Sequence, residues 1–117
     1  MRILLAALLA TFGFIGVAQA DPFANFYGNT TVVAHPKNGE RKVHINEDGT
    51  YSQTLADGST VTGTWKLDGD TACFMQDAAA ADAQPYCVPA EARNVGDSWD
   101  LTAPDGTVEK ATLVAGQ

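Results

Sequence analysis

The chain has 117 residues, of which 14 are acidic and 7 basic, for a formal net charge of −7, and 45% are hydrophobic. So acidic a surface repels nucleic acid and anionic lipid headgroups, and no basic patch interleaved with aromatics offsets it. Neutral or basic macromolecules and small molecules remain as partners.

Residues 1–20 carry one base, Arg2, then an apolar run from Ile3 to Val17, and end Val17-Ala18-Gln19-Ala20, with small residues where a signal peptidase reads. This is the pattern of a secretory signal peptide. The run is shorter than the roughly 18 to 20 residues that span a bilayer, so cleavage after Ala20 is expected rather than a retained anchor, with no membrane insertion afterwards. No cysteine stands at the cut to accept a lipid. Residues 21–117 are then a single exported β domain, periplasmic or secreted in a Gram-negative envelope, carrying 14 acidic and 6 basic side chains for a net charge of −8.

Phe23, Phe26 and Tyr27 follow the cut and precede the first strand. Two readings apply: a plug that closes one end of the domain, or an N-terminal segment that docks on a partner.

Beyond them, Asp-Gly recurs at Asp48-Gly49, Asp57-Gly58, Asp68-Gly69 and Asp105-Gly106, and the runs between are rich in Thr, Val, Tyr, Trp and Leu. That is the spacing of an antiparallel meander. Eight strands are expected, at 29–35, 41–46, 50–55, 60–67, 70–76, 85–88, 97–102 and 107–114. The alanine-rich stretch 77–83, stopped by Pro85, reads as a short helix or a loop.

Alternation at period two assigns Val43, Ile45, Tyr51, Gln53, Leu55, Val61, Gly63, Trp65, Leu67, Trp99 and Leu101 to the inner face. A three-residue loop at Glu47-Asp48-Gly49 faces Ile45 with Tyr51, whereas a two-residue loop would put apolar side chains on opposite faces. The same device at Ala56-Asp57-Gly58 lays Tyr51 over Gly63, filling the gap that a strand glycine leaves. At Asp68-Gly69 a two-residue turn faces Trp65 with Ala72, sends Phe74 inward and leaves Cys73 and Met75 outside; a three-residue loop would turn Cys73 inward.

Hairpin-linked strands in this number close into an up-and-down β-barrel, which removes exposed edges; a β-sandwich is the alternative. Strands this short span only about 17 to 24 Å, and an eight-stranded interior is just wide enough for side chains to fill, so a packed centre is expected.

Cys73 and Cys87 are the two cysteines, and an oxidising compartment makes them a disulfide that holds the Pro-bearing loop to the outside or rim of the sheet. Closing so short a loop stabilises by about 3 kcal/mol. A redox or metal-binding thiol pair is the competing reading, but the spacing contains no Cys-x-x-Cys.

For a metal, the candidates are His35, His44 and Met75, with a carboxylate such as Glu40; strand parity puts His44 outside, and both imidazoles read as solvated surface residues. Asp68 and Asp70 begin like a calcium loop, but Ala72 and Phe74 stand where oxygen ligands should follow. No Gly-x-Ser-x-Gly, free cysteine or Ser-x-x-Lys is present, and a carboxylate pair such as Asp97 and Asp100 carries little information in so acidic a chain. Neither an enzyme nor a cofactor is expected.

The series Gly63-Thr64-Trp65, Cys73, Cys87, Trp99 and the Asp105-Gly106 turn resembles the bacterial exported inhibitors of secreted metalloproteases. The resemblance implies an eight-stranded barrel, and a partner-binding trunk at 21–27. The chain departs from that family in having two or three strands before its Gly-Thr-Trp strand. Asn46-Glu47-Asp48-Gly49-Thr50-Tyr51 with Gly63-Thr64-Trp65 also looks like the broader lipocalin-like, calycin-type domains, where it implies fold more than function.

The first expectation is therefore a non-enzymatic envelope protein that binds an exported protein, such as a protease it inhibits. The alternatives are a calycin-like carrier of a small ligand or metal, and a hydrolase with surface carboxylates.

Overall fold

A computed structural model describes residues 21–117, and the expected signal peptide lies outside the described residues. The turn residues divide this stretch into β1 (Thr30–His35), β2 (Gly39–Ile45), β3 (Thr50–Thr54), β4 (Thr60–Asp68), β5 (Thr71–Gln76), β6 (Tyr86–Pro89), β7 (Ser98–Thr102) and β8 (Val108–Val114). Of the two readings for 77–83, the loop holds: the stretch is turn and irregular backbone. Alanines flanked by Asp77 and Asp82 offer no apolar stripe for a helix to bury. No helix among the described residues is long and apolar enough to cross a membrane.

Three of the four Asp-Gly sites use one device. The aspartate carboxylate accepts the backbone N–H two residues on, from Thr50 at 3.0 Å, Ser59 at 2.9 Å and Thr107 at 2.9 Å. Thr50 and Ser59 add their hydroxyls, at 2.6 and 2.7 Å. The glycine between takes φ of 88 to 90°, which an L side chain rarely adopts. The resulting three-residue loops face Ile45 with Tyr51 and Tyr51 with Gly63, as the alternation requires. Tyr51 covers that glycine closely: a Cβ on Gly63 would lie 2.7 Å from the tyrosine ring.

The fourth site differs from its expected register. Its turn is Gly69-Asp70, so Asp68 pairs with Thr71, Leu67 with Ala72 and Trp65 with Phe74. Gly69, with φ of 66°, takes the first central position, where a type II′ turn needs φ > 0. Because the shift is by two residues, the faces are preserved. Phe74 points inward, and Cys73 lies outside, directly opposite Cys87 of β6, to which it is disulfide-bonded.

The strands form one antiparallel sheet in the order β6-β5-β4-β3-β2-β1-β8-β7. Since β1 is bonded to both β2 and β8, the meander curls into a nearly closed eight-stranded barrel rather than a sandwich, an architecture compatible with a calycin-like fold. Among the described residues β6 and β7, the two ends of this order, share no ladder, which leaves an open seam between them.

Aromatic mass gathers at one end of this barrel. The turns at 21–29 fold in there, placing the Phe23 ring 5.1 Å from Trp65 and the Phe26 ring 5.9 Å from Trp99. Both phenylalanines are buried, in a cluster with Ile45, Ala72 and Leu113. The Asn25 amide donates to the Arg93 carbonyl at 2.8 Å and fastens the plug to the β6–β7 connection. Leu67, expected inside, is 38% exposed: β4 there runs beyond its ladder with β3, which ends at Thr64, and is paired with β5 alone.

Candidate functional site

The expected packed centre is not what the barrel contains. With Phe23, Phe26, Trp65 and Trp99 concentrated at the plugged end, and β6 not paired to β7, side chains leave a partly open cavity of about 370 Å³. Phe23 and Phe26 form its floor. Val33, Tyr51, Phe74, Val88 and Leu101 supply apolar wall, and Ala79, Ala83 and Gln84 of the β5–β6 connection stand at the far end. The volume lies within the range of small-molecule sites, roughly 300 to 1,000 Å³.

Inward parity on β2, β6 and β8 also brings three polar side chains into the barrel. Arg41 makes two bonds to Glu109, at 2.5 and 3.3 Å, and the Tyr86 hydroxyl donates to the same carboxylate at 3.1 Å. Glu109 is only 2% exposed, so a lone charge there would be costly; the guanidinium fork and the phenol satisfy it instead. Burial works against the charge on Arg41, but the bond to Glu109 and its charge outweigh it and hold the guanidinium above its usual value. Burial, and then the Glu109 charge, push the Tyr86 phenol up as well, so it stays a donor at neutral pH.

A second arginine lies on the same cavity. Arg93 sits with its guanidinium carbon 4.5 Å from the centre of the Trp99 ring and bonds Glu91 through one nitrogen at 2.6 Å. The Glu91 side chain is 61% exposed. This pair is therefore a rim ion pair, whereas the Arg41 pair is internal.

The residues singled out from sequence fall into separate places. Cys73 and Cys87 pin β6 to β5 on the outer face. Phe23 and Phe26 are interior; Tyr27 is half-buried, donates to Asp21 at 2.6 Å and lies beside Trp65. Burial, followed by that carboxylate, raises the Tyr27 phenol well above its ordinary value. The His35 ring accepts the backbone N–H groups of Lys37 and Asn38, both at 3.0 Å, and shapes the β1–β2 turn. His44 bonds the Thr30 hydroxyl at 3.1 Å. Met75, expected on the outer side of β5, nonetheless borders the cavity, and the bonds of the two imidazoles go to Lys37, Asn38 and Thr30 instead. Among the described residues no three His, Cys, Asp or Glu side chains are grouped to hold a metal.

Arg41, Glu109, Tyr86 and Arg93 were not singled out from the sequence. A signal for the first two existed: Arg41 is in phase with Val43 and Ile45, and Glu109 with Ala111 and Leu113, so each is a charge at an inward position. Opposite charges on the inner faces of two strands that share a neighbour mark a buried pair. Comparison with models of protein families, with curated proteins and with solved structures finds no match to this chain.

Proposed function

We propose that this chain is a non-enzymatic exported binding protein that holds one small, mainly apolar molecule inside its barrel. The observation that carries this reading is the partly open cavity of about 370 Å³, walled by aromatic and aliphatic side chains. Burial of an apolar guest there gains about 25 cal/mol per Å² of apolar surface removed from water, before the cost of association. The internal Arg41–Glu109 pair is neutral as a unit and does not oppose an uncharged guest. The proposal is of binding without turnover.

Titration with the apolar fluorophore N-phenylnaphthylamine tests it. The expected result is saturable binding of one probe per chain, abolished by Val88→Trp, which fills the cavity from β6. Binding that does not saturate, or that survives Val88→Trp in a folded protein, contradicts the reading.

A second reading, capture of an exported protein such as a secreted metalloprotease, draws on the Gly63-Thr64-Trp65, cysteine-pair and Trp99 resemblance and on the unpaired edges of β6 and β7. With Phe23 and Phe26 seated in the core, the 21–27 segment can serve as a trunk only by leaving the barrel end. Stoichiometric inhibition in a panel of secreted proteases supports this reading, and its absence throughout the panel counts against it.

A further inference from the structure

We infer that the guest of this cavity carries a carboxylate, and that Arg93 is the residue that binds it. The inference rests on the cavity reading above and adds the chemical class of the ligand.

Residues 21–117 contain two arginines and four lysines. Both arginines, Arg41 and Arg93, line the cavity, and none of the lysines does. This placement matters in a chain with 14 acidic residues, whose overall field repels anions, so that an anion is retained only by local pairing. An arginine fork also matches the planar geometry of a carboxylate, which a lysine does not.

The two arginines are not equivalent. Arg41 already has both of its terminal nitrogens on Glu109, and that carboxylate also receives Tyr86. Pulling Arg41 away would strand a buried charge, so its pair is a fixed part of the wall. Arg93 bonds only one nitrogen to Glu91, and it does so at the rim, where such pairs are worth little and exchange readily. Its position is nonetheless fixed. The guanidinium lies over Trp99, the Trp99 ring packs against Phe26, and the Arg93 carbonyl is held by Asn25. A cation held in place by a ring, facing an apolar cavity, and paired to a displaceable partner is arranged to exchange Glu91 for the carboxylate of a guest, or to bind both.

The test compares decanoate with decanol, which match in chain length and differ in charge, by isothermal titration at neutral pH. For the unmodified chain, decanoate is expected to bind roughly tenfold or more tighter than decanol, the gain of a charge-assisted bond. Added salt should weaken decanoate alone. Arg93→Gln should lower decanoate to the level of decanol while leaving decanol unchanged, which shows that the cavity is intact. Equal affinities in the unmodified chain, a preference that persists in Arg93→Gln, or a variant that loses both ligands alike each overturn the assignment. If neither ligand binds the unmodified chain, the cavity reading itself fails.

Discussion

Tyr86 of β6 donates its hydroxyl to Glu109 of β8 at 3.1 Å, joining the two sides of the barrel that the sheet's own hydrogen bonds leave apart. With Arg41 of β2 on the same carboxylate, three strands that share no ladder with one another meet at one buried charge. Tyr86→Phe keeps the ring and removes the donor, so it should cost about 1 to 2 kcal/mol. Arg41→Ala leaves Glu109 buried and uncompensated and should cost about 3 kcal/mol or more. Urea unfolding midpoints give both values, and equal costs for the two variants would contradict this account of the cluster.

The Cys73–Cys87 bridge should act on stability and binding together. It ties β6, a short edge strand, to β5, and β6 supplies Tyr86 and Val88 to the cavity wall. Reduction should lower stability by about 3 kcal/mol, chiefly by releasing loop entropy to the unfolded chain, and should weaken probe binding in the fraction that remains folded. Thermal unfolding and probe titration with and without reductant measure the two effects.

The N-terminal turns should behave as core. Phe26 is 5% exposed, so Phe26→Ala should cost about 3 kcal/mol or more through lost burial and the cavity left behind. Tyr27→Phe removes only the bond to Asp21 at a site in contact with water and should change the unfolding midpoint little. A segment that merely lies on the surface would make both substitutions nearly silent.

Acid should loosen the hairpins. The Thr50 hydroxyl bond, then its N–H, holds the Asp48 carboxyl below its ordinary range; Ser59 does the same for Asp57, and the Thr107 N–H, then its hydroxyl, for Asp105. A carboxyl lowered in the folded state contributes stability above its unfolded value, about 3.9, and that contribution is lost as pH falls through the lower folded value. Stability should therefore decline below about pH 4. Replacing Asp48, Asp57 and Asp105 together by Asn should make the decline shallower, as urea midpoints across the acid range would reveal.

Much of the fold was legible because turn chemistry and alternation agree. Asp48-Gly49-Thr50 and Asp57-Gly58-Ser59 place a hydroxyl where the aspartate can take it, and the registers of Ile45 with Tyr51 and Tyr51 with Gly63 follow. Asp68-Gly69 is followed by Asp70, which has no hydroxyl to offer, and here the turn moved by one residue. The site was harder to read. Arg41 and Glu109 stand in phase with the inward residues of their strands, a signal easily passed over because they interrupt the apolar alternation, and they meet Tyr86 only when the sheet curls. Arg93 lies in a connection without periodicity, and its place beside Trp99 depends on the packing of the plug. The cavity depends on where the large side chains gather, and strand length alone does not reveal that.

Native mass spectrometry of the folded chain incubated with decanol, and separately with decanoate, tests the central claim most directly. The account predicts a single adduct per chain with each ligand, shed when the protein is unfolded and absent from Val88→Trp. A bare chain in both samples, or a ladder of several adducts that Val88→Trp leaves in place, would contradict it.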